Sequence, residues 1–268
     1  MPNYQKPLLS LYKFRVLNKT SHKEILTSNL LSFPSPDNFN DPFDSAIPIH
    51  YDQGSKQEII SYWEEHLKIS RPDLNRRQRK EGAIIACKEI QKGRLRTVEI
   101  QEKIISSMVG VFSLSGNYKG ISLWSHYADS HKGFCVGFNA RKLKGFCQKR
   151  FIGAEEVISL EEVEYSEKYP FINALRMSTE ERLNYQLLTK SPEWQSEKEY
   201  RLIWFKGANK KLRIDDGIIK RVILGCKMTQ GDKDEIISIL KTRKDKVYLY
   251  QAKKKQDAFG LNFKFVKY

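Results

Sequence analysis

Two carboxylates and a guanidinium occupy alternate positions in the segment WQSEKEYRLI. On a β-strand, Glu197, Glu199 and Arg201 would share one side, and Tyr200 and Leu202 would lie on the other. Paired carboxylates beside an arginine can orient a substrate hydroxyl and can oppose the positive charge that develops in a sugar-like transition state. The same pattern is also typical of a surface Glu–Arg pair at a strand edge, which contributes little to stability.

Two histidines lie close together in the segment WSHYADSHKGFCVGF. His126 and His131 are five residues apart, so a continuous helix would separate them by about 140° and would disfavour joint metal ligation. A turn at 129–133 would instead bring them together, and Gly133 suits a tight turn into the next strand. Each histidine could act as an acid or a base. Alternatively, both are structural residues that bind backbone carbonyls.

A basic pair and an aromatic pair alternate in the segment LYKFR. In a strand, Lys13 and Arg15 would lie on one face, and Tyr12 and Phe14 would enter the core from the other. The two cations could hold a phosphate or pyrophosphate, or they could lie in solvent.

The segment FNDPFD places Asn40, Asp41 and Asp44 around a proline. Such a loop could hold a divalent cation through oxygen ligands, but turn formation or helix capping is the better explanation. We therefore expect no metal. The chain contains no GxGxxG, Walker-type, GxSxG or HExxH motif, which argues against the corresponding nucleotide, hydrolase and zinc sites.

The formal charge of the 268-residue chain is +15. Basic residues concentrate at 71–103 and again at 241–267, which favours a polyanion such as nucleic acid, although a solvated basic surface would look the same. The candidate nucleic-acid contacts are Arg76, Arg77, Arg79 and Lys80. No stretch approaches the roughly 18 apolar residues of a membrane span, no signal pattern opens the chain, and the four cysteines form no CxxC pair. These features predict a cytoplasmic protein with reduced thiols and no membrane partner.

Periodicity predicts the elements that position these residues. Strands are expected at 8–16, 30–33, 109–115, 134–138, 157–165, 199–205, 222–224, 247–250 and 262–266. Helices are expected at 21–27, 55–69, 178–189 and 232–240, and at 75–107 with a break near Gly93. The sequence therefore predicts a single α+β domain over 1–268 with a mixed or antiparallel sheet, and a basic helical insert at 55–107.

The four motif segments, in this order, resemble an uncharacterised bacterial domain family. Its members carry LYKYR, then LxFxxPxxFNDPFD, then WSHYAxxHxGxC, then WxxExExR. The matching segments here are Leu11–Arg15, 31–44, Trp124–Cys135 and 194–201, with Phe14 in place of the second tyrosine of the first motif. Membership in that family brings no defined activity with it.

The chain also resembles, more distantly, the ADP-ribosyltransferase superfamily. That superfamily carries a basic residue on an early strand, Ser-x-Ser on a middle strand and Glu-x-Glu on a late strand. The counterparts are Lys13 or Arg15, then 113–115 (SLS), then 197–199 (EKE).

This second resemblance implies an ADP-ribosyltransferase-like fold and NAD as a substrate. Glu199 would contact the nicotinamide ribose, Arg15 the NAD phosphates, and Tyr127 or Trp124 would stack on nicotinamide. The full candidate catalytic set is Glu197, Glu199, His126 and Tyr127, and the cofactor-binding set is Lys13, Arg15, Ser113, Ser115, Trp124 and Arg201.

Three functions follow from these observations. The first is an NAD-using transferase or glycohydrolase, which by the same resemblance could be a toxin or phage-defence effector acting on nucleic acid or an acidic protein. The second is a nuclease that uses His126, His131, Asp41 and Asp44. The third is a non-catalytic module that binds nucleic acid or a regulatory protein, in which Trp124 and Trp194 are core residues, 199–201 forms a buried ion pair and 40–44 forms a structured turn.

Overall fold

The computed structural model describes residues 9–93, 107–151 and 157–268. The chain divides into two compact units. Unit 1 consists of residues 1–38, 108–163 and 192–268, and unit 2 consists of residues 39–107 and 164–191. In the described part of the chain, no helix is both long enough and apolar enough to cross a membrane.

A mixed eight-stranded sheet forms the centre of unit 1, in the order β14-β13-β12-β5-β1-β4-β10-β6. Neighbouring strands are antiparallel, except that β12 and β13 are parallel. The strands of this sheet are β1 (Ser10–Arg15), β4 (Val109–Ser115), β5 (Phe134–Asn139), β6 (Ile158–Glu162), β10 (Glu199–Phe205), β12 (Ile219–Leu224), β13 (Tyr248–Lys254) and β14 (Leu261–Val266). A separate pair joins β2 (Leu30–Phe33) to β11 (Lys210–Arg213).

Each face of this sheet has its own apolar core, because side chains alternate along every strand. The first face includes Leu11, Phe112, Val136 and Leu202, and it packs against residues of α1 (Thr20–Thr27), α5 (Ala140–Phe151) and α7 (Gln230–Lys241). The second face includes Tyr12, Phe14, Cys135 and Ile223, and it packs against Trp124 of α4 (Ile121–Tyr127).

The described part of unit 2 contains three capped helices. They are α2 (Lys56–Ser70), α3 (Arg76–Gln91) and α6 (Thr179–Leu188), and each begins with a complete capping box whose first residue is Ser55, Asn75 or Ser178. Short parallel pairs join β3 (Ile49–His50) to β8 (Ile172–Asn173) and β7 (Glu164–Tyr165) to β9 (Thr189–Lys190). The core of this unit contains Ile49, Ile59, Cys87 and Ile172.

The predicted mixed α/β architecture is confirmed at this level, and the finer expectation of an ADP-ribosyltransferase-like fold stays a prediction. Most predicted elements are present with boundaries shifted by a few residues, and α3 ends at Gln91, just before Gly93. The rest of the predicted 75–107 helix falls largely on 94–106, outside the described residues. Helix α5 was not predicted, although Leu143, Phe146 and Cys147 follow helical spacing and are buried.

Candidate functional site

The late strand that carries the Glu–Arg motif begins at Glu199, two residues after Glu197, the first glutamate of the motif. A 3₁₀ helix over Pro192–Glu197 precedes it, and Lys198 takes a left-handed conformation with φ 47°. Strand β10 then starts at Glu199. Glu199 and Arg201 lie on the same face, as strand alternation predicts, while the buried Glu197 belongs to the turn and not to the strand.

Glu199 and Arg201 form a buried bidentate ion pair. Nε of Arg201 donates to Oε1 of Glu199 at 2.9 Å, and Nη2 donates to Oε2 at 3.2 Å. The exposed fraction of the side chain is 0% for Arg201 and 4% for Glu199. Charges this deeply buried persist only when they are paired and hydrogen-bonded, since removing one partner leaves the other uncompensated. The pair therefore holds this part of the strand in one conformation.

Ser113 and Ser115 lie on the neighbouring strand, on the same face as the ion pair. Ser113 is the cross-strand partner of Arg201, and Ser115 is the partner of Glu199. The hydroxyl of Ser115 donates to the backbone carbonyl of Glu197 and accepts from the backbone N–H of Asn117 at 2.9 Å. Ser115 thus fixes the end of β4 to the 3₁₀ turn.

Lys13 and Arg15 lie on the first face of the sheet. Lys13 Nζ is 4.9 Å and Arg15 Cζ is 5.5 Å from the centroid of the buried Phe112 ring. Among the described residues, neither side chain has a hydrogen-bond acceptor or a carboxylate at salt-bridge distance. Both side chains are only partly exposed. The structure therefore brings together two cations that the described part of the protein does not neutralise.

Burial dominates the electrostatics of this basic pair. It lowers the pKa of Lys13 well below its usual range, and the charge of Arg15 lowers it further, while Glu199 and Glu197 act in the opposite direction. Burial also lowers the pKa of Arg15 to about 10. The pKa of nearby His22 falls to about 4 through burial first and the Arg15 charge second. Since the Val16 carbonyl can only accept, Nδ1 of His22 carries the proton of their 3.0 Å hydrogen bond.

Three adjacent strands carry the residues that the ADP-ribosyltransferase resemblance selects, but the residues divide between the two faces. Strand β4 lies between β1 and β10. Tyr12 is the partner of Ser115, which in turn is the partner of Glu199, so these three share the second face. Lys13 and Arg15, which lie one and three residues after Tyr12 along the strand, face away from Glu199. The serines and Glu199 are together, and the basic pair is not with them.

The two histidines near helix α4 do not form a common site. His126 is exposed and contacts the Tyr127 ring edge-on, with centroids 6.1 Å apart. His131 stacks on the fully buried Trp124 at 6.3 Å and shares a 3.2 Å hydrogen bond with Ser125. Burial lowers the pKa of His131, so its ring is neutral near pH 7. Trp124 is a core residue here, which does not suit the role of stacking on nicotinamide.

The turn after α4 is tightly constrained. Asp129, Ser130 and His131 all have positive φ, at 45°, 49° and 72°. A Cβ on Gly133 would lie 2.2 Å from the Arg15 carbonyl oxygen, and one on Gly225 would lie 2.1 Å from that of His131. These close backbone approaches explain why glycine is required at Gly133 in the turn and at Gly225, which follows β12 and packs against the turn.

The FNDPFD segment forms a structured turn in unit 2. The carboxylate of Asp41 accepts from the Phe43 backbone N–H at 3.0 Å, as turn-forming aspartates do. The carboxylate of Asp44 lies 3.8 Å from Nζ of Lys190, with both side chains 5% exposed. Sequence reasoning missed Lys190, because its partner is 146 positions earlier in the chain. Within the described residues, no three His, Cys, Asp or Glu side chains converge as a metal site would require.

The basic residues of α3 lie mainly in solvent. Arg76, Arg77 and Lys80 are exposed, although Arg77 pairs with Glu81 at 2.9 Å. Arg79 is partly buried and donates to the Leu74 carbonyl. The predicted surface for nucleic acid is therefore accessible at three of its four positions.

Comparison with known proteins gives one match. Residues 123–202 match the model of a family described as a protein of unknown function, DUF2971. The match covers less than a third of the chain and includes both the WSHYA segment and most of the WQSEKEYRLI segment. It agrees with the predicted likeness to an uncharacterised domain family. No match was found among curated proteins or among solved structures.

Proposed function

We propose that this chain binds a phosphate-bearing nucleotide through Lys13 and Arg15, with NAD as the first candidate. The observation that carries the proposal is the partly buried pair of cations with no acceptor or carboxylate partner among the described residues. Taking a charge out of water without a partner costs several kcal/mol in proteins. An anionic ligand would supply the missing partner for both groups.

The spacing of the two cations favours a phosphate group over a single carboxylate. Residues i and i+2 of a strand are about 7 Å apart along the backbone, so two long side chains can converge on one diphosphate. An arginine can bind phosphate with two parallel hydrogen bonds, and a lysine adds a point charge. The buried Phe112 ring supports both side chains from below.

Helix α1 adds to the positive potential around the pair. No acidic residue occurs in its first turn, and its N-cap residue Lys19 makes no side-chain capping bond. A helix N-terminus of this kind favours an anion. His22 in that turn stays neutral at pH 7, and with Nδ1 bonded to Val16 its Nε2 can accept a hydrogen bond, for instance from a ribose hydroxyl.

The test is calorimetric titration in a chloride buffer with NAD, pyrophosphate and adenosine. We expect NAD and pyrophosphate to bind and adenosine, which lacks phosphate, to bind far more weakly. Arg15→Gln removes charge-assisted hydrogen bonds and should weaken NAD binding on the order of 10- to 100-fold. Lys241→Gln, which removes an exposed lysine at the end of α7, is the matched control. Equal NAD affinity in Arg15→Gln and wild type would refute the proposal.

A second function, ADP-ribosyl transfer or NAD hydrolysis, rests on Ser115 and Glu199. These residues face each other across adjacent strands. The superfamily resemblance implies a site in which Glu199 is catalytic and the Ser113–Ser115 segment, Ser113 first, supports it. In such a reaction the bond from the ribose carbon to nicotinamide breaks, nicotinamide leaves, and water or an acceptor takes the ribosyl group. Glu199 would hold the ribose and oppose the charge that develops on it.

Nicotinamide release, measured beside NAD binding, tests this second function. Because Glu199 lies on the opposite face of the sheet from Lys13 and Arg15, NAD that undergoes this reaction would bind at a separate site on the second face. We therefore expect Glu199→Gln to lose turnover and to retain NAD binding at the basic pair. Because Glu199 pairs with Arg201, the thermal unfolding of the variant must be recorded to confirm that it is folded. Absence of turnover in the wild type, with nucleic acid and protein acceptors present, would remove this function and leave nucleotide binding standing.

A further inference from the structure

We propose that the second face of the sheet, at its β13–β14 end, binds single-stranded nucleic acid. Four aromatic residues form the binding surface, here called the aromatic platform: Tyr248, Tyr250, Phe263 and Phe265. The site is separate from Lys13 and Arg15, which lie on the first face.

The strand register places all four rings on one face. Tyr250 is the cross-strand partner of Phe265, and Ala252, two residues further, is the partner of Phe263. Ring centroids lie 6.4 Å apart between Tyr248 and Phe265 and 5.8 Å apart between Tyr250 and Phe265. The exposed fraction is 42% for Tyr248 and 60% for Phe265. Large aromatic residues so exposed on a sheet face are costly to leave in water and mark a binding surface.

A second stretch of rings extends the platform toward the centre of the sheet. Tyr118 contacts Phe263 with centroids 4.9 Å apart, and Tyr118 contacts Tyr12 at 4.8 Å. Lys119 lies 5.6 Å from the centroid of the Tyr118 ring. Tyr12 itself is buried, with only 5% of its surface exposed, so the accessible rings extend from the sheet edge as far as Tyr118 and can stack on more than one base.

Cations surround the platform. Lys246 Nζ lies 5.3 Å from the Tyr248 ring centroid, and Arg221 is the cross-strand partner of Tyr248 on the same face. Lys254 follows on that face beyond Ala252 and is exposed. Residues 246–268 contain six lysines and a single acidic residue, Asp257. Rings flanked by cations match a strand of stacked bases joined by phosphates.

The observations favour a single strand over a duplex or a second protein. Aromatic rings on an open sheet can stack only on bases that are not already stacked in a helix. A second copy of this chain stacked on this face would bring the cations of both copies together, among them Arg221, Lys246 and Lys254, and their repulsion opposes such a dimer. The positive charge around the rings therefore favours nucleic acid as the ligand of this surface.

The test is fluorescence anisotropy with labelled 12-nucleotide oligo(dT) and oligo(U), and with a DNA duplex of the same length. Each lost base–ring contact should weaken binding on the order of 10- to 100-fold, so Tyr248→Ala and Phe265→Ala should each show a loss of that size. Tyr185→Ala is a matched control, because Tyr185 is also 42% exposed but lies on helix α6 of unit 2. Lys246→Gln should reduce the salt dependence of binding.

Three results would overturn the proposal. One is wild-type affinity in both platform variants, and another is duplex binding as tight as single-strand binding, which would indicate charge alone. The third is a wild-type dimer that Phe265→Ala dissociates, which would assign the surface to a second copy. The two platform variants should bind NAD as the wild type does, so a failure here is distinct from a failure of the Lys13–Arg15 proposal.

Discussion

Replacing Arg15 with methionine should stabilise the ligand-free protein. Burial lowers the pKa of Arg15 from its usual value to about 10 on folding, which corresponds to about 3 kcal/mol, since each pKa unit is worth about 1.4 kcal/mol. A lowered pKa means that the stability contributed by this group is present only above the usual arginine pKa and is lost as the pH falls to about 10. At neutral pH the folded protein therefore carries the whole penalty of keeping the guanidinium charged.

Methionine removes this penalty but also loses the contact with Phe112. That cation–ring contact is worth about 0.5–2 kcal/mol. The expected net effect is a stabilisation of about 1–2 kcal/mol, or about 3–6 °C in the unfolding midpoint for a chain of this size. This gain in stability is expected only without ligand. A bound phosphate would pair with Arg15 and stabilise the wild type, whereas the variant has no cation at this position to pair with it.

Urea and thermal unfolding, followed by circular dichroism in a chloride buffer, would measure the difference. Arg213→Met, at an exposed position on β11, is the control and should change the free energy of unfolding by less than about 0.5 kcal/mol. Adding pyrophosphate should raise the midpoint of the wild type and leave that of Arg15→Met unchanged. A variant less stable than the wild type by 1 kcal/mol or more, with no effect of pyrophosphate on either, would refute the reasoning.

Three further outcomes are expected. Because the pKa of His22 falls from 6.5 to about 4, the wild type should lose about 3 kcal/mol of stability as the pH falls from 6.5 to 4, and His22→Asn should flatten this part of the pH–unfolding curve. Glu199→Leu or Arg201→Leu alone should destabilise by about 3–5 kcal/mol in urea unfolding, whereas the double variant should recover much of the loss; additive losses would contradict the buried pair. Gly133→Ala, whose Cβ would meet the Arg15 backbone oxygen at 2.2 Å, should prevent stable folding, while Gly145→Ala, with nothing within 4 Å in helix α5, should stabilise by about 0.5–1 kcal/mol.

Strand alternation was sufficient to predict which neighbours share a face within one strand. It placed Lys13 with Arg15 opposite Tyr12 and Phe14, and it placed Glu199 with Arg201. Both predictions hold because β1 and β10 are regular strands whose apolar faces are buried. The left-handed Lys198 breaks the same rule for Glu197, and nothing in a lysine side chain signals that conformation.

The arrangement between strands could not be predicted from the sequence. Whether Arg15 and Glu199 share a face depends on two pairings, that of Tyr12 with Ser115 and that of Ser115 with Glu199. The first joins residues 103 positions apart in the sequence, and the second joins residues 84 positions apart. A shift of one residue in either pairing would place Glu199 on the same face as Arg15. Local periodicity contains no information about such a register, so the resemblance suggested a single cluster where the sheet has two. The ion pair between Asp44 and Lys190 could not be predicted for the same reason.

The position of β1 in the sheet has a consequence for synthesis of the chain. This strand precedes every other strand of the eight in sequence, yet it lies between β5 and β4. Tyr12 pairs with Gly137, which a ribosome adding about 5–20 residues per second reaches about 6–25 s later. Through that interval the apolar side chains of Leu11, Tyr12 and Phe14 have no sheet to join, so the nascent segment is a natural target for chaperones. Substitutions of Leu11, Tyr12 or Phe14 should accordingly lower the yield of folded protein from translation.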